Sequence, residues 1–284
     1  MLYLSSFSFP TQEQEETYLH GLQLTCYDTC YPFQTISSKT IEHISFSPFT
    51  ILYGGNGCGK TTILNIIAEK LRLRRESPFN KTDFLEPYLQ HCQAETKTPP
   101  PGGSRIITSD DVFDHILRIR QTNSEIDSAR EKLFQRYEDN RTTRFRLNSM
   151  EDYEQLKDIN LCKKISKSQY IRRNNHDNIR TQSNGENALR YFTGMITQDA
   201  LYLLDEPENS LSAENQQKLA QFLEDSCRFY NCQFIISTHS PFLLSIKGAK
   251  VYDMDDPPFA AKKWTELKNV RLFHEFFLKH AAEF

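Results

Sequence analysis

Apolar positions along the chain follow two periods, and the change from one to the other marks the first elements. Residues 1–9 and 45–53 alternate or cluster apolar and β-branched side chains, which suits strands entering a sheet. The second run leads into a glycine cluster. Beyond it, across residues 61–72, Ile63, Leu64, Ile66, Ile67 and Leu71 recur at helical spacing with no Gly or Pro among them. The local order is therefore strand, glycine loop, helix. Short apolar runs at 200–204 and 233–237 predict two more strands, and the amphipathic stretch 213–229 between them predicts a helix. That alternation implies a parallel βαβ arrangement. A closing strand near 250–254 and a helix over 269–280 complete the pattern, and no internal repeat is visible.

Residues 97–104, KTPPPGGS, can hold neither a helix nor a central strand and must be loop. From Val112 to about Arg180 polar and charged residues dominate, and Phe113, Ile116, Leu117 and Ile119 begin a run of helices. The expected organisation is an α/β core of residues 1–110 and 190–284 interrupted by a helical lobe, 111–189. A formal net charge of -3 neither demands nor forbids nucleic acid, so any basic surface must be local. The seven cysteines are scattered, and the N-terminus lacks a signal-peptide pattern, so a reducing cytoplasm is expected. Cys26 and Cys30 have no second Cys or His pair at zinc spacing, which favours free thiols. No apolar run approaches a membrane span, so no direct membrane insertion is expected.

The glycine cluster is the first candidate site. Gly54, Gly55, Asn56, Gly57, Cys58, Gly59, Lys60 and Thr61 satisfy Gly-x-x-x-x-Gly-Lys-Thr between a strand and a helix, where the mechanism needs the motif. Small residues let backbone N–H groups curl around the phosphates of ATP, and the helix N-terminus, continuing through Thr62, adds positive partial charge. Lys60 is placed to reach the β and γ oxygens and Thr61 to ligate Mg²⁺. The alternative is a glycine turn without ligand. Cys58 stands where bulk is the main constraint and takes no catalytic role.

The run 200–204 ends in Asp205-Glu206-Pro207, a layout that delivers two adjacent carboxylates to the edge of a phosphate site. Asp205 would orient the metal, and Glu206 would accept a proton from the attacking water. An acidic helix start is the competing reading. The strand 233–237 ends in Thr238-His239-Ser240-Pro241, which puts one histidine at a strand terminus. A lone histidine is usually structural, but behind a phosphate loop and a carboxylate pair His239 can contact the γ-phosphate or its water.

Ser183, Asn184, Gly185 and Glu186, just before the carboxylate strand, resemble the signature of ABC ATPases, usually written LSGGQ. The series GGNGCGKT, SNGE, LLDEPENSLS and STHSPFLLS falls in the order of that class and spans most of the chain. It looks closer to the SMC, RecF and OLD-like branch, which acts mainly on DNA or in bacterial and antiviral defence, than to transporter subunits. The resemblance implies an α/β fold, the P-loop NTPase sheet of the ABC type with an inserted helical lobe that carries the signature. It also implies a composite site, with ATP on one subunit's phosphate loop and the partner's Ser183 hydroxyl, Gly185 backbone and helix start pressed on the γ-phosphate. The protein would then work as an ATP-dependent homodimer. A turn and cap before a helix at 187–192 is compatible with that role.

Three departures from the pattern matter. Where the class carries a Gln between sheet and lobe, Asp110 stands here, either as a metal or water ligand or as the cap of a helix beginning at Asp111. The loop 208–212 lacks the usual closing Asp. Tyr31 and Phe33 are the candidates to stack on adenine, with core packing as the other explanation. The lobe is too short for long coiled-coil arms, so a compact relative is implied. Lys163, Lys164, Lys167, Arg172, Arg173 and Arg180 form a basic run around Tyr170, opposed by Asp177 alone. Lys163 to Arg180 could bind DNA or another nucleic acid, or form a solvated face or the dock of an acidic protein. Two functions remain open: a nucleic-acid-responsive ATPase with a separate effector protein, or an ATP-gated module that docks another protein, a transporter membrane subunit included.

Overall fold

A computed structural model describes all residues except 23–28, 147–149, 180–182, 257, 258 and 284. Cys26 and Arg180 thus lie outside the described residues.

The chain opens with β1 (Leu4–Ser8), α1 (Gln12–His20), β2 (His43–Ser45), β3 (Phe49–Tyr53), α2 (Lys60–Lys70), α3 (Leu85–His91), β4 (Gln93–Thr96), β5 (Arg105–Thr108) and α4 (Ser109–Thr142). It continues through α5 (Tyr153–Lys164), α6 (Lys167–Asn174), α7 (Asn184–Met195), β6 (Leu201–Asp205), α8 (Ala213–Phe229), β7 (Gln233–Ser237), α9 (Pro241–Leu244), β8 (Lys250–Asp253), β9 (Ala261–Lys262) and α10 (Lys268–Lys279). The strands form two sheets, a small one of order β2-β1-β4 and a large one of order β5-β6-β7-β3-β8-β9.

The run 45–53, expected as one strand, is two. Its first part ends β2 in the small antiparallel sheet, and its second is β3 at the heart of the large one. The break has a local cause. Pro48 has no N–H for a ladder, and Ser47 N–H turns aside to Thr50 Oγ1 at 2.9 Å. One buried side chain then ties the two sheets together. Gln233 Oε1 accepts from Tyr3 N at 2.7 Å and Leu4 N at 2.9 Å, while Nε2 donates to Leu4 O at 2.8 Å and Ser47 O at 3.3 Å.

Five strands of the large sheet are parallel, and β9 closes it antiparallel to β8. β3, β6 and β7 are buried throughout, as near-continuous apolar runs in a covered parallel sheet should be. Register decides what meets at the carboxyl edge. Thr108 lies opposite Asp205, Asp205 opposite Ser237, Ser237 opposite Leu52, and Tyr53 opposite Asp253. The segments after β3, β6, β7 and β8 therefore leave the sheet side by side.

The chain divides into two compact units, Met1–Phe113 with Asn184–Phe284, and Asp114–Ser183. The first is the α/β body and includes α7. The second is helical, built around Tyr137, Cys162, Tyr170 and Ile171. Tyr170, expected within a basic surface, is 1% exposed and donates to Asp158 Oδ1 at 2.9 Å. Its ring is a core ring, because it lies on the inward face of α6 while Arg172 and Arg173 point outward. Lys164 is also exposed, whereas Lys167 pairs with Glu138 at 2.6 Å.

Candidate nucleotide-binding site

β3 hands the chain directly to the glycine loop. Gly57 and Gly59 take φ of 76° and 93°, the left-handed region in which a side chain is strained. Their glycines are needed for the backbone conformation itself. Lys60 begins α2 and is 4% exposed. Its Nζ donates to Gly54 O at 2.8 Å and Gly55 O at 3.0 Å, and lies 2.9 Å from His239 Nε2. An ammonium only donates, so Nε2 accepts and the ring proton sits on Nδ1.

Asp205 ends β6. It accepts from Thr61 Oγ1 at 3.2 Å and from the Ser237 hydroxyl of the neighbouring strand. Burial pushes its pKa upward, against the two hydroxyl bonds, which favour the charged form. Glu206 leaves the strand with φ of 47° and donates its N–H to Ser237 O at 3.0 Å. This turn rules out the helix-start reading, since the next helix begins at Ala213 behind its own cap, Ser212. Glu206 Oε2 accepts from Asn209 Nδ2 at 3.1 Å, and Oε1 lies 3.7 Å from His239 Nε2. The backbone N–H of His239 in turn donates to Glu208 Oε1 at 2.6 Å. Burial and then the neighbouring Lys60 charge hold the His239 pKa below its ordinary value, with Glu206 opposing. The imidazole is accordingly neutral near pH 7.

Asp110 and Asp111 divide the work that the sequence left open. α4 begins at Ser109 and is capped by Thr108, whose hydroxyl accepts from Asp111 N at 3.4 Å, while the Asp111 carboxylate, 3% exposed, reaches back to Thr108 N at 2.6 Å and to Ser77 N at 2.7 Å. Asp110 is exposed and lines a cavity of about 1470 Å³ together with Thr61 and Asp205. These are hard oxygen donors with room for water and phosphate oxygens, which suits Mg²⁺. Among the described residues no group of three or more His, Cys, Asp or Glu could hold a metal alone. A cation here would need the nucleotide's oxygens to complete its shell.

Tyr31 lines the same cavity and donates its hydroxyl to Thr62 Oγ1 at 3.1 Å. Phe33 is 3% exposed and stacks on Tyr18 at 5.0 Å, so it belongs to the core and is closed to a base. Ser183 precedes α7, and Asn184, Gly185 and Glu186 form its first turn, earlier than the helix start expected at 187. Gly185 has a packing reason as well: a Cβ there would meet Ser210 O at 3.1 Å and Asn215 Nδ2 at 3.2 Å. The described cysteines are all free. Burial drives Cys92 up to about 12 and Cys232 up to about 11, which makes them inert thiols.

Sequence reasoning missed several site residues. Ser237, Glu208 and Asn209 sit in stretches already flagged, and their strand-end positions were the available signal. Arg75 had none: its guanidinium lies 4.1 Å from the Phe79 ring, bonds Asn65 and lines the cavity beside Thr61 and Asp205.

A parallel sheet that carries a glycine loop, a paired carboxylate and a histidine on adjacent strand ends defines an ATPase domain of the AAA/ABC type. Residues 105–245 match the family model described as "AAA domain, putative AbiEii toxin, Type IV TA system". That match and the motif order make the chain similar to ABC-class P-loop ATPases. Among solved structures it is similar to an Smc head domain with an extended coiled coil bound to the C-terminal domain of ScpA, from Pyrococcus furiosus. The identity is 16% and the TM-score 0.39, over 82% of this chain and 94% of that one. It is also similar to a putative metal-chelate type ABC transporter in an inward-facing conformation, at 16% identity and a TM-score of 0.42, over 96% and 89% of the two chains. No curated protein matches the sequence. Among the described residues no helix is long and apolar enough to cross a membrane.

Proposed function

We propose that the protein binds and hydrolyses Mg-ATP at composite sites of a head-to-tail homodimer. The observation that carries this reading is the convergence of Lys60, Thr61, Asp205, Glu206 and His239 on one sheet edge, with His239 Nε2 2.9 Å from Lys60 Nζ and 3.7 Å from Glu206 Oε1. Bound Mg-ATP supplies the electrophilic phosphorus, and the metal offsets charge on its oxygens. Lys60 and the N–H groups of Gly57 to Thr62 hold the phosphates. Thr61 and Asp205 would hold the cation, with Asp110 on the wall of the same cavity. Glu206 accepts the proton of the attacking water, and Asn209 keeps its carboxylate aimed. His239, neutral and anchored through its backbone by Glu208, is free to donate from Nδ1 or accept at Nε2 as the charge on the phosphoryl group moves.

The signature residues Ser183, Asn184, Gly185 and Glu186 act in the partner's site, where a hydroxyl and a helix start make a second anion cradle. The dimer's output goes to DNA through the exposed Lys164, Arg172 and Arg173, or to a separate effector protein. The matching family's description, a putative AbiEii toxin of a type IV TA system, supports a role in bacterial defence. One observation favours a second reading, ATP-gated docking of another protein: Leu272, Phe273 and Phe276 of α10 are 59%, 48% and 54% exposed.

The test is a pair of variants. Glu206→Gln should keep nucleotide binding, lose about 10²- to 10⁴-fold in turnover and accumulate as an ATP-bound dimer on size exclusion. Lys60→Ala should abolish nucleotide binding. Parental turnover in Glu206→Gln rejects Glu206 as the base, and turnover measured with and without DNA separates the two outputs.

A further inference from the structure

Two consecutive glycines open the phosphate loop, yet the motif accounts only for Gly54. The reason for the second lies 200 residues away. β8 runs parallel to β3 with Asp253 opposite Tyr53, so the turn that follows β8 leaves the sheet beside the phosphate loop. Met254 N–H donates to Tyr53 O at 2.8 Å, Asp255 N–H donates to Asp253 Oδ1 at 3.1 Å, and Lys262 of β9 holds Asp253 at 3.1 Å. The turn is thereby fixed against the loop. Asp255 Oδ2 accepts the N–H of Gly55. A Cβ on Gly55 would stand 3.3 Å from that oxygen, and one on Gly54 would stand 3.1 Å from Met254 Cβ and 2.7 Å from Cys58 Sγ. Both glycines admit the close approach of this turn.

A carboxylate beside a phosphate loop could compete with phosphate or could brace the loop, and peptide geometry separates the two. The carbonyl of Gly54 and the N–H of Gly55 belong to one peptide unit, and in a trans peptide they point in opposite directions. The carbonyl faces Lys60 Nζ at 2.8 Å, on the side where the ammonium works. The N–H therefore faces away from Lys60, and Asp255 meets it from outside the cradle.

We propose that Asp255 is a positioning residue of the phosphate loop: with Lys60 on the opposite side, it clamps the Gly54–Gly55 peptide plane and so orients the N–H groups that follow. The loop needs such a brace because Gly57 and Gly59 leave its backbone otherwise loose. A bond from a backbone N–H to an ionised acceptor is among the stronger ones.

This inference rests on the Mg-ATP reading, and two measurements keep the failures apart. Asp255 is exposed, so Asp255→Ala and Asp255→Asn should both fold, which far-UV circular dichroism checks. Both remove the charge, and only asparagine keeps the acceptor. In Mg-ATP titrations Asp255→Ala should bind about tenfold more weakly than Asp255→Asn, the worth of one hydrogen bond. Equal affinities, or tighter binding by Asp255→Ala, would overturn the proposal. If the parent protein binds no Mg-ATP, the ATP reading fails, and amide exchange without nucleotide decides the positioning role by itself. The Gly55 amide should exchange faster in Asp255→Ala than in Asp255→Asn, and identical exchange would overturn it.

Discussion

Gln233→Leu removes a buried side chain that links the small sheet to the large one, and its cost follows from the bonds it breaks. Two backbone donors, Tyr3 N and Leu4 N, lose a buried acceptor at 2.7 and 2.9 Å, and two carbonyls lose a donor. Each orphaned buried donor costs about 1–3 kcal/mol. Leucine nearly fills the volume of glutamine, so the cavity contribution is small, and its extra apolar burial offsets about 1 kcal/mol. The net loss is about 1–5 kcal/mol, set against the roughly 5–15 kcal/mol that keeps a typical domain folded. In urea, at a slope of about 3 kcal/mol per molar, the unfolding midpoint should fall by about 0.3–1.7 M with the slope unchanged. Far-UV circular dichroism of purified parent and variant measures it. A shift below about 0.3 M would mean that the two amides find other acceptors, and the account of the inter-sheet tie would be wrong.

Two further outcomes bear on function. In an isolated heterodimer of wild type with a chain carrying both Lys60→Ala and Ser183→Arg, turnover should be absent, since each composite site takes one half from the damaged chain; activity near half the wild-type rate would defeat the head-to-tail arrangement. The His239 pKa is depressed, so below the unfolded value of about 6.5 the unfolded chain holds a proton that the folded one rejects, and stability rises with pH through that window. The stability difference between the parent and His239→Gln should therefore move against the parent as pH falls from 7.5 to 5, and a flat difference would contradict the neutral imidazole bonded to Lys60.

What the sequence determined by itself was local. A left-handed backbone at Gly57 and Gly59 must be written in the residues that adopt it, so the phosphate loop was legible, and α8 was legible because a 3.6-residue period needs no partner to be seen. Asp205, Glu206 and His239 could be picked out because each ends an apolar run. The tertiary structure decided everything that depends on which strand lies beside which. It split the run 45–53 between two sheets, turned Tyr170 into the core, and closed a capping box between Thr108 and Asp111 that leaves Asp110 facing the cavity. The bonds that complete the site, Lys60 to His239 across 179 residues and Gly55 to Asp255 across 200, follow from the parallel pairing of β3 with β7 on one side and β8 on the other. Hydrophobic periodicity states that a strand is buried but not who its neighbours are. Neighbours are chosen by the packing of the whole sheet, and that choice brought these side chains together.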